Sequence, residues 1–185
     1  MITTMKNIIS LAICVFISAC SINAPKYTPS NENINILQDV TTKKISVGKF
    51  NESSPKVNSL SMRGSSLVSP YNESYSVYLT KALEEELKLA GIWDQNSGIN
   101  VSGTLVDNEL DVSSFSIGTA SITVKFIVKR NNKVIYNKQV TANHKWESSF
   151  IGAVAIPAGQ NNYHVVVQKL FTNLFKDKQF IAAVK

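Results

Sequence analysis

The N-terminal twenty residues constrain this chain most strongly. Lys6 is their only charged residue, and an apolar block from Ile8 to Ala19 follows it, broken only by Ser10 and Ser18. A helix that spans a bilayer needs roughly 20 apolar residues, so this block is too short to span one. A weakly positive start, a short apolar middle and a small-residue end are typical of a secretory signal peptide. We therefore predict that residues 1–19 are a signal peptide and that the remainder folds outside the cytoplasm.

The signal peptide ends in the run Ile17-Ser18-Ala19-Cys20. This run resembles the lipobox of bacterial lipoproteins, in which small residues precede an obligatory cysteine. The resemblance implies cleavage between Ala19 and Cys20 and acyl groups on Cys20, which would hold the protein to a membrane. An ordinary signal with an incidental cysteine is the alternative, but Ile17 is a poor residue for ordinary cleavage. Ser21, rather than an aspartate, follows Cys20, and by analogy with enteric bacteria this favours the outer membrane.

Cleavage would leave about 165 residues, which suits one domain. The two cysteines of the chain are Cys14 and Cys20. Cys14 would be removed with the signal and Cys20 would be acylated, so the sequence predicts no disulfide and no thiolate metal site. The predicted mature chain has 18 basic and 13 acidic residues. Export argues against nucleic acid as a partner, which leaves phospholipid headgroups and envelope polymers, or lysines that only keep the domain soluble.

The composition divides the mature chain into two parts. Residues 20–44 are rich in Asn, Thr, Ser and Pro, which predicts a lipidated cysteine followed by a polar tether. Apolar residues in the second half of this segment could dock it onto the domain: Ile34, Ile36, Leu37 and Val40. Residues 45–185 are predicted to form a single periplasmic domain.

The apolar periodicity of residues 45–185 predicts six elements in the order β-α-β-β-β-α. Residues 45–50 and 99–105 read as strands, residues 71–90 as an amphipathic helix ended by Gly91, and residues 119–143 as a hairpin that turns at Asn131-Asn132. A second helix is predicted from Asn162, and Asp177 is expected to cap a last short turn. The predicted fold is an α+β domain with a mixed or antiparallel sheet and two amphipathic helices packed on one face.

Candidate catalytic and metal-binding residues are few. Glu84, Glu85 and Glu86 point in different directions on a helix, which predicts a solvated face. The carboxylates of Asp107, Glu109 and Asp111 alternate along a strand and could either hold a divalent cation or mark an exposed strand end. His144 and His164 can each be explained by a structural role, at the end of a strand and at the start of a helix. The long Ser-rich loop at 51–69 contains Arg63, which could either contact an anion or be a solvated side chain. The sequence predicts no enzyme, no cofactor and no metal site.

The segment 146–158 fits neither a helical nor a strand period. It is apolar and contains glycine, so it either folds back over the edge of the core or offers an apolar patch to a partner. The residues that would form this patch are Trp146, Phe150, Ile151 and Ile156.

The whole pattern resembles the small outer-membrane lipoproteins of the YajG-like type. The local similarity is strongest near the C-terminus, in these residues: Glu147 to Phe150, Gly152, Val166, Val167, Leu174, Asp177 and Phe180-Ile181. The resemblance implies a fold and a location at the outer membrane, facing the periplasm, and no active site.

Two functions fit the sequence. The first is a lipid-anchored, non-enzymatic interaction or structural module that contacts other envelope proteins. The alternative is an accessory lipoprotein of an envelope lipid or lipopolysaccharide transport system, which would bind lipid in an apolar cavity between helices and sheet.

Overall fold

The computed structural model describes residues 21–185, and the predicted signal peptide, Ala19 and Cys20 lie outside the described residues. A four-stranded sheet forms the centre of the fold. Its strands are, in their order across the sheet, β2 (Ser46–Glu52), β5 (Ile99–Asp111), β6 (Ile117–Arg130) and β7 (Lys133–Glu147). β2 pairs in parallel with β5, and the other neighbours are antiparallel, so the predicted mixed sheet is confirmed.

The β6–β7 hairpin turns where the sequence predicts. Asn131 and Asn132 both have positive φ, 49° and 67°, the backbone conformation that a two-residue hairpin turn of this kind requires and that asparagine tolerates. Val124, Phe126 and Val128 alternate on the buried face, while Lys125 lies on the exposed face. The period-2 pattern therefore sets the face that packs on the helices.

Helices α2 (Tyr75–Leu89) and α3 (Gly152–Phe175) pack on this sheet, α2 against β2 and β5 and α3 against β5, β6 and β7. The α+β class and the helices on the sheet are as predicted. α2 begins later than predicted because Ser74 caps it by accepting a hydrogen bond from the Val77 amide. Gly91, with φ of 75°, ends the helix as expected.

The first part of α3 was not predicted. The helix begins at Gly152 and runs through Pro157, ten residues before the predicted start at Asn162. Asn162 is not a cap, because its side chain bonds the Ala158 carbonyl and His144. Asp177 does cap the last helix, α4 (Lys178–Val184), by accepting from the amides of Gln179 and Phe180.

The segment predicted to be a tether is part of the folded domain. Residues Ser21–Asn23 form strand β1 and residues Asn31–Val40 form helix α1, which contacts α2 and α3. Ala24, Tyr27 and Leu37 are buried in the common core. The prediction of a polar tether is therefore wrong for residues 21–44, because a few apolar side chains in a polar segment find partners far away in the sequence. The expected docking through Ile34, Ile36, Leu37 and Val40 is confirmed, since all four pack on the core.

The predicted long loop at 51–69 also contains structure. A 3₁₀ turn (Pro55–Asn58) precedes strands β3 (Leu60–Met62) and β4 (Ser65–Val68), and with β1 these make a second sheet in the order β1-β4-β3. β3 and β4 join at Arg63-Gly64, with φ of 48° and 85°. β1 runs parallel to β4, with Ser21 beside Ser66 and Asn23 beside Val68.

Candidate functional site

Arg63 joins three parts of the chain at one end of the molecule. From the β3–β4 turn its Nε donates to the Val112 carbonyl at 2.7 Å, and its Nη2 donates to the carbonyls of Ser114 and Ser149 at 3.2 Å each. It also donates to the carbonyls of Ser113 and Phe150. The guanidinium thus binds the backbone of the β5–β6 loop and the β7–α3 loop and holds the two loops together. Neither sequence interpretation of Arg63, an anion contact or a solvated side chain, includes this role.

The two loops held by Arg63 carry an exposed pair of aromatic rings. Phe115 and Phe150 stack with their ring centroids 4.9 Å apart and their planes 14° apart. The Arg63 guanidinium carbon lies 5.6 Å from the centroid of the Phe150 ring. Phe115 is 77% exposed and Phe150 is 61% exposed. Adjacent apolar side chains that are exposed to solvent on well-ordered loops are typical of a contact surface.

Three exposed aliphatic residues are close to the two rings in sequence. Ile151 follows Phe150, Val154 lies in the first turn of α3, and Ile117 begins β6, and all three are exposed. We call these five residues the Phe115–Phe150 patch: Phe115, Ile117, Phe150, Ile151 and Val154.

The predicted partner patch is only partly the surface that the structure exposes. Phe150 and Ile151 belong to it, whereas Trp146 and Ile156 are half-buried and pack against the core. The Trp146 ring covers Gly118 so closely that a Cβ at Gly118 would clash with it. Within 146–158, Trp146 and Ile156 thus pack on the core, while Phe150 and Ile151 are exposed, and a partner for them stays a prediction. Phe115, Ile117 and Val154 were missed, although two of them interrupt a Ser-rich run that should be a polar loop.

A second site, inside the protein, is centred on Glu86. Its Oε1 accepts hydrogen bonds from the Tyr27 hydroxyl at 2.5 Å, the Asn33 side-chain amide at 2.9 Å and the Ser30 backbone amide at 3.1 Å. Burial raises the pKa of Glu86, and the three hydrogen bonds oppose that rise. The predicted solvated face is therefore wrong for Glu86, which ties the N-terminal segment to α2. It holds for its neighbours, since Glu84 and Glu85 make surface ion pairs with lysines of the same helix.

The two histidines lie at the contact of β7 with α3. The Nε2 of His144 is 3.0 Å from the Asn162 side-chain oxygen, and its Nδ1 is 2.9 Å from the Lys169 ammonium. Burial is the main cause that lowers the pKa of both His144 and His164. A Lys169 hydrogen bond to Nδ1 requires an unprotonated nitrogen there, so His144 is a neutral structural side chain in this arrangement.

The alternating carboxylates of β5 do not form a metal site in the structure. Glu109 and Asp111 line an open groove of about 820 Å³ beside β3, together with Lys145 of β7. A hydrogen bond to Asp111 from Ser113 chiefly lowers the pKa of that carboxyl. Among residues 21–185, no group of three or more His, Cys, Asp or Glu side chains is placed to hold a metal ion. Over the same residues, no helix is long and apolar enough to cross a membrane.

Comparison with known proteins gives a fold relationship. No protein-family model matches the sequence, and no curated protein matches it. Protein XCC0632 from Xanthomonas campestris, a DUF330 protein, superposes with a TM-score of 0.60 at 13% identity, over 88% of this chain and 96% of that one. This chain shares the fold of XCC0632.

Two further solved structures overlap less well. The hypothetical protein CT253 from Chlamydia trachomatis gives a TM-score of 0.46 at 11% identity, over 77% of this chain and 99% of that one. A minor lipoprotein from Acinetobacter baumannii gives 0.45 at 13% identity, over 77% of this chain and 92% of that one.

Proposed function

We propose that the protein is a lipid-anchored lipoprotein of the bacterial cell envelope, held at the outer membrane and facing the periplasm, that acts as a non-enzymatic interaction module. The lipobox-like run that ends at Cys20 supports the anchor, and the local resemblance to YajG-like lipoproteins supports the location. One structural observation carries the proposal. The chain is already part of a sheet at Ser21, so a lipid on Cys20 would attach directly to the surface of the domain.

The Phe115–Phe150 patch would be a contact surface of the protein, either toward another protein or toward the membrane that holds the anchor. Its rings are exposed yet fixed, since Arg63 holds both loops through their backbone carbonyls. Fixed exposed aromatic side chains lose little conformational entropy when they are covered, which makes them efficient contact residues.

The intact mass of the purified full-length product tests the anchor. Expression with the native signal in a Gram-negative host should give a chain that begins at Cys20 and carries the mass of a diacylglyceryl group and an amide-linked acyl chain. The Cys20→Ala variant should keep its signal peptide. An unmodified chain cut at another position would overturn the proposal.

Membrane fractionation tests the location separately. The protein should appear in the outer-membrane fraction. The Ser21→Asp variant should move to the inner membrane if the enteric sorting preference applies, and Ser21 is exposed, so the fold should tolerate the change. An inner-membrane location of the unaltered protein would contradict the proposed address while leaving the anchor intact.

The alternative function, lipid handling, requires an apolar cavity between helices and sheet. The fully buried side chains of that interface contact one another instead: Phe126 of β6 lies 6.4 Å from Phe171 of α3 and 5.8 Å from Phe50 of β2 between ring centroids. This packing favours the interaction module. Native mass spectrometry of the purified protein, searched for a co-purifying phospholipid, is the measurement that would reverse the choice.

A further inference from the structure

The strand β1 brings the start of the folded chain to the end of the molecule that carries the Phe115–Phe150 patch. β1 and β4 are parallel, and Ser21 lies beside Ser66, one residue from the start of β4. β4 starts immediately after the Arg63-Gly64 turn, and the Arg63 side chain reaches the loops of the patch. Neighbouring strands are about 4.8 Å apart and residues along a strand about 3.3 Å, so Ser21 is within roughly 15 Å of that turn.

The N-terminal segment is hydrogen-bonded to the rest of the domain from its first described residues. The Ala24 amide donates to the Val68 carbonyl at 2.8 Å, which continues the β1–β4 pairing. Two side chains of α3 hold the next residues, since Gln160 donates to the Asn23 carbonyl at 2.8 Å and Gln168 to the Thr28 carbonyl at 2.7 Å. A lipid on the residue before Ser21 would therefore bring this end of the domain against the membrane.

We propose that the Phe115–Phe150 patch is a membrane-contact surface, which inserts its two rings into the headgroup region of the same leaflet that holds the lipid on Cys20. The inference rests on the proposed lipid anchor and adds an orientation to it. Phenylalanine, with Trp and Leu, is typical of the apolar face that a segment at the membrane–water interface buries at the boundary between headgroups and acyl chains. A protein partner would have to approach an end of the molecule that the anchor already places at the bilayer.

Arg63 makes such insertion feasible. A loop that enters an apolar region must satisfy its backbone carbonyls from within the protein, because each unpaired one costs free energy. Arg63 donates to the carbonyls of Val112, Ser114 and Ser149, in the two loops that carry the rings. Its positive charge also suits the phosphate groups of the lipid surface.

The patch would fix the orientation of the domain on the membrane, whereas the acyl chains would keep the protein attached. Two or more acyl chains already hold a lipoprotein stably at a membrane, whereas one chain alone binds only marginally. Contact through the patch adds a second point of attachment, and two points fix the tilt of a domain that one point leaves free to rotate.

Depth measurement on the full-length acylated protein tests this inference. Phe150→Cys and Asn132→Cys variants are labelled with the polarity-sensitive dye NBD and reconstituted into vesicles of phosphatidylethanolamine and phosphatidylglycerol that contain a lipid with a nitroxide quencher on its headgroup. Asn132 lies in the turn at the opposite end of the β6–β7 hairpin. We expect a blue shift and strong quenching of the dye at position 150 and neither at position 132. No quenching at either position would overturn the inference.

The mass of the same samples separates failure of the anchor from failure of the patch. In an acylated chain the sulfur of Cys20 is blocked, so each variant takes one dye, whereas an unacylated chain takes more. Absence of acyl groups contradicts the proposed function, whereas an acylated chain with an unquenched dye at 150 contradicts only the membrane contact. Crosslinking of position 150 to a second copy or to another protein, without quenching, would also overturn the inference.

A loss-of-contact variant completes the test. The dye is placed at Ser116→Cys, an exposed position between Phe115 and Ile117, and Phe115→Ser with Phe150→Ser should abolish most of its quenching. The matched control is Val134→Ser with Ile135→Ser, which removes two exposed apolar residues at the far end of β7. Quenching should persist in the control, and equal loss in both variants would overturn the inference.

Discussion

Glu86 and Phe115 reverse the usual placement of polar and apolar side chains in opposite ways. Glu86 is a carboxyl group with no solvent exposure, whereas Phe115 is an aromatic ring that is 77% exposed. Glu86 has three donors on one oxygen, all from residues 27–33. Phe115 has one aromatic neighbour, Phe150. Internal hydrogen bonds account for Oε1 of the buried carboxyl, while its Oε2 has no hydrogen-bond partner among the described residues. The exposed Phe115 ring has far fewer internal contacts, and this difference points to a contact outside the protein.

Removal of the Glu86 carboxylate should give the largest loss of stability. Glu86→Ala removes the acceptor of the Tyr27 hydroxyl and of the Ser30 amide, and one of the two hydrogen bonds of the Asn33 side-chain amide, whose other bond goes to the Gln168 carbonyl. Each buried donor that loses its partner costs about 1–3 kcal/mol. We expect the free energy of unfolding to fall by about 3 kcal/mol or more in urea titrations. Glu85→Ala, which removes only a surface ion pair, should cost less than about 1 kcal/mol. Equal losses would contradict the structural role of Glu86.

Arg63→Ala should give the next largest effect, concentrated at the patch. The variant frees carbonyls of both loops, so we expect a loss of about 2 kcal/mol and faster amide exchange over 112–116 and 148–151. Arg130→Ala is the matched control, since Arg130 makes one such bond, to the Ala183 carbonyl at 2.9 Å. Unchanged exchange in the two loops would show that Arg63 does not hold them.

The pH dependence of stability tests the environment of Glu86. Burial raises the pKa of Glu86 in the folded state above its ordinary value of 4.5, so the folded state binds this proton more tightly than the unfolded state does. Stability is then greatest below about pH 4.5 for this group and falls as the pH rises toward the raised folded pKa. Glu86→Gln should remove that slope. A wild-type protein that instead gains stability relative to this variant over the same range would contradict the sign of the shift.

The patch should contribute least to stability. Phe115→Ser with Phe150→Ser removes rings that are mostly exposed, and such surface changes alter the free energy of unfolding by roughly 0.5 kcal/mol or less. The same pair should show the greatest effect on membrane contact. A loss as large as that of Glu86→Ala would mean that the rings belong to the core.

The local pattern of apolar and polar residues was sufficient to predict the elements whose partners are close in sequence. The β6–β7 hairpin and α2 follow from alternation, helical periodicity, Asn131-Asn132 and Gly91, and the structure confirms them. The packing of two helices on one sheet follows from their apolar faces. These features depend on short-range rules that one sequence displays.

Elements fixed by distant partners could not be predicted in this way. Residues 21–44 resemble a tether because the sequence shows their polar composition but does not show which residues they contact. Asn33, for example, bonds Glu86 and the Thr172 hydroxyl, each more than fifty residues away. The start of α3 could not be predicted because the helix contains Pro157, and proline in a helix interior normally ends the helix. Phe115 was missed because only the tertiary fold brings it onto Phe150.

With the proposed lipid on Cys20, the docked N-terminal segment would also determine how far the protein can reach. A free tether of residues 21–44 would let the domain explore a wide zone above the bilayer, whereas a chain folded from Ser21 onward has a fixed height. Strand β6 has 14 residues, so the Asn131-Asn132 turn lies as much as roughly 45 Å from the patch. With the patch at the membrane, the protein would act as a spacer of set length, and would meet only those periplasmic components that come to the level of that turn.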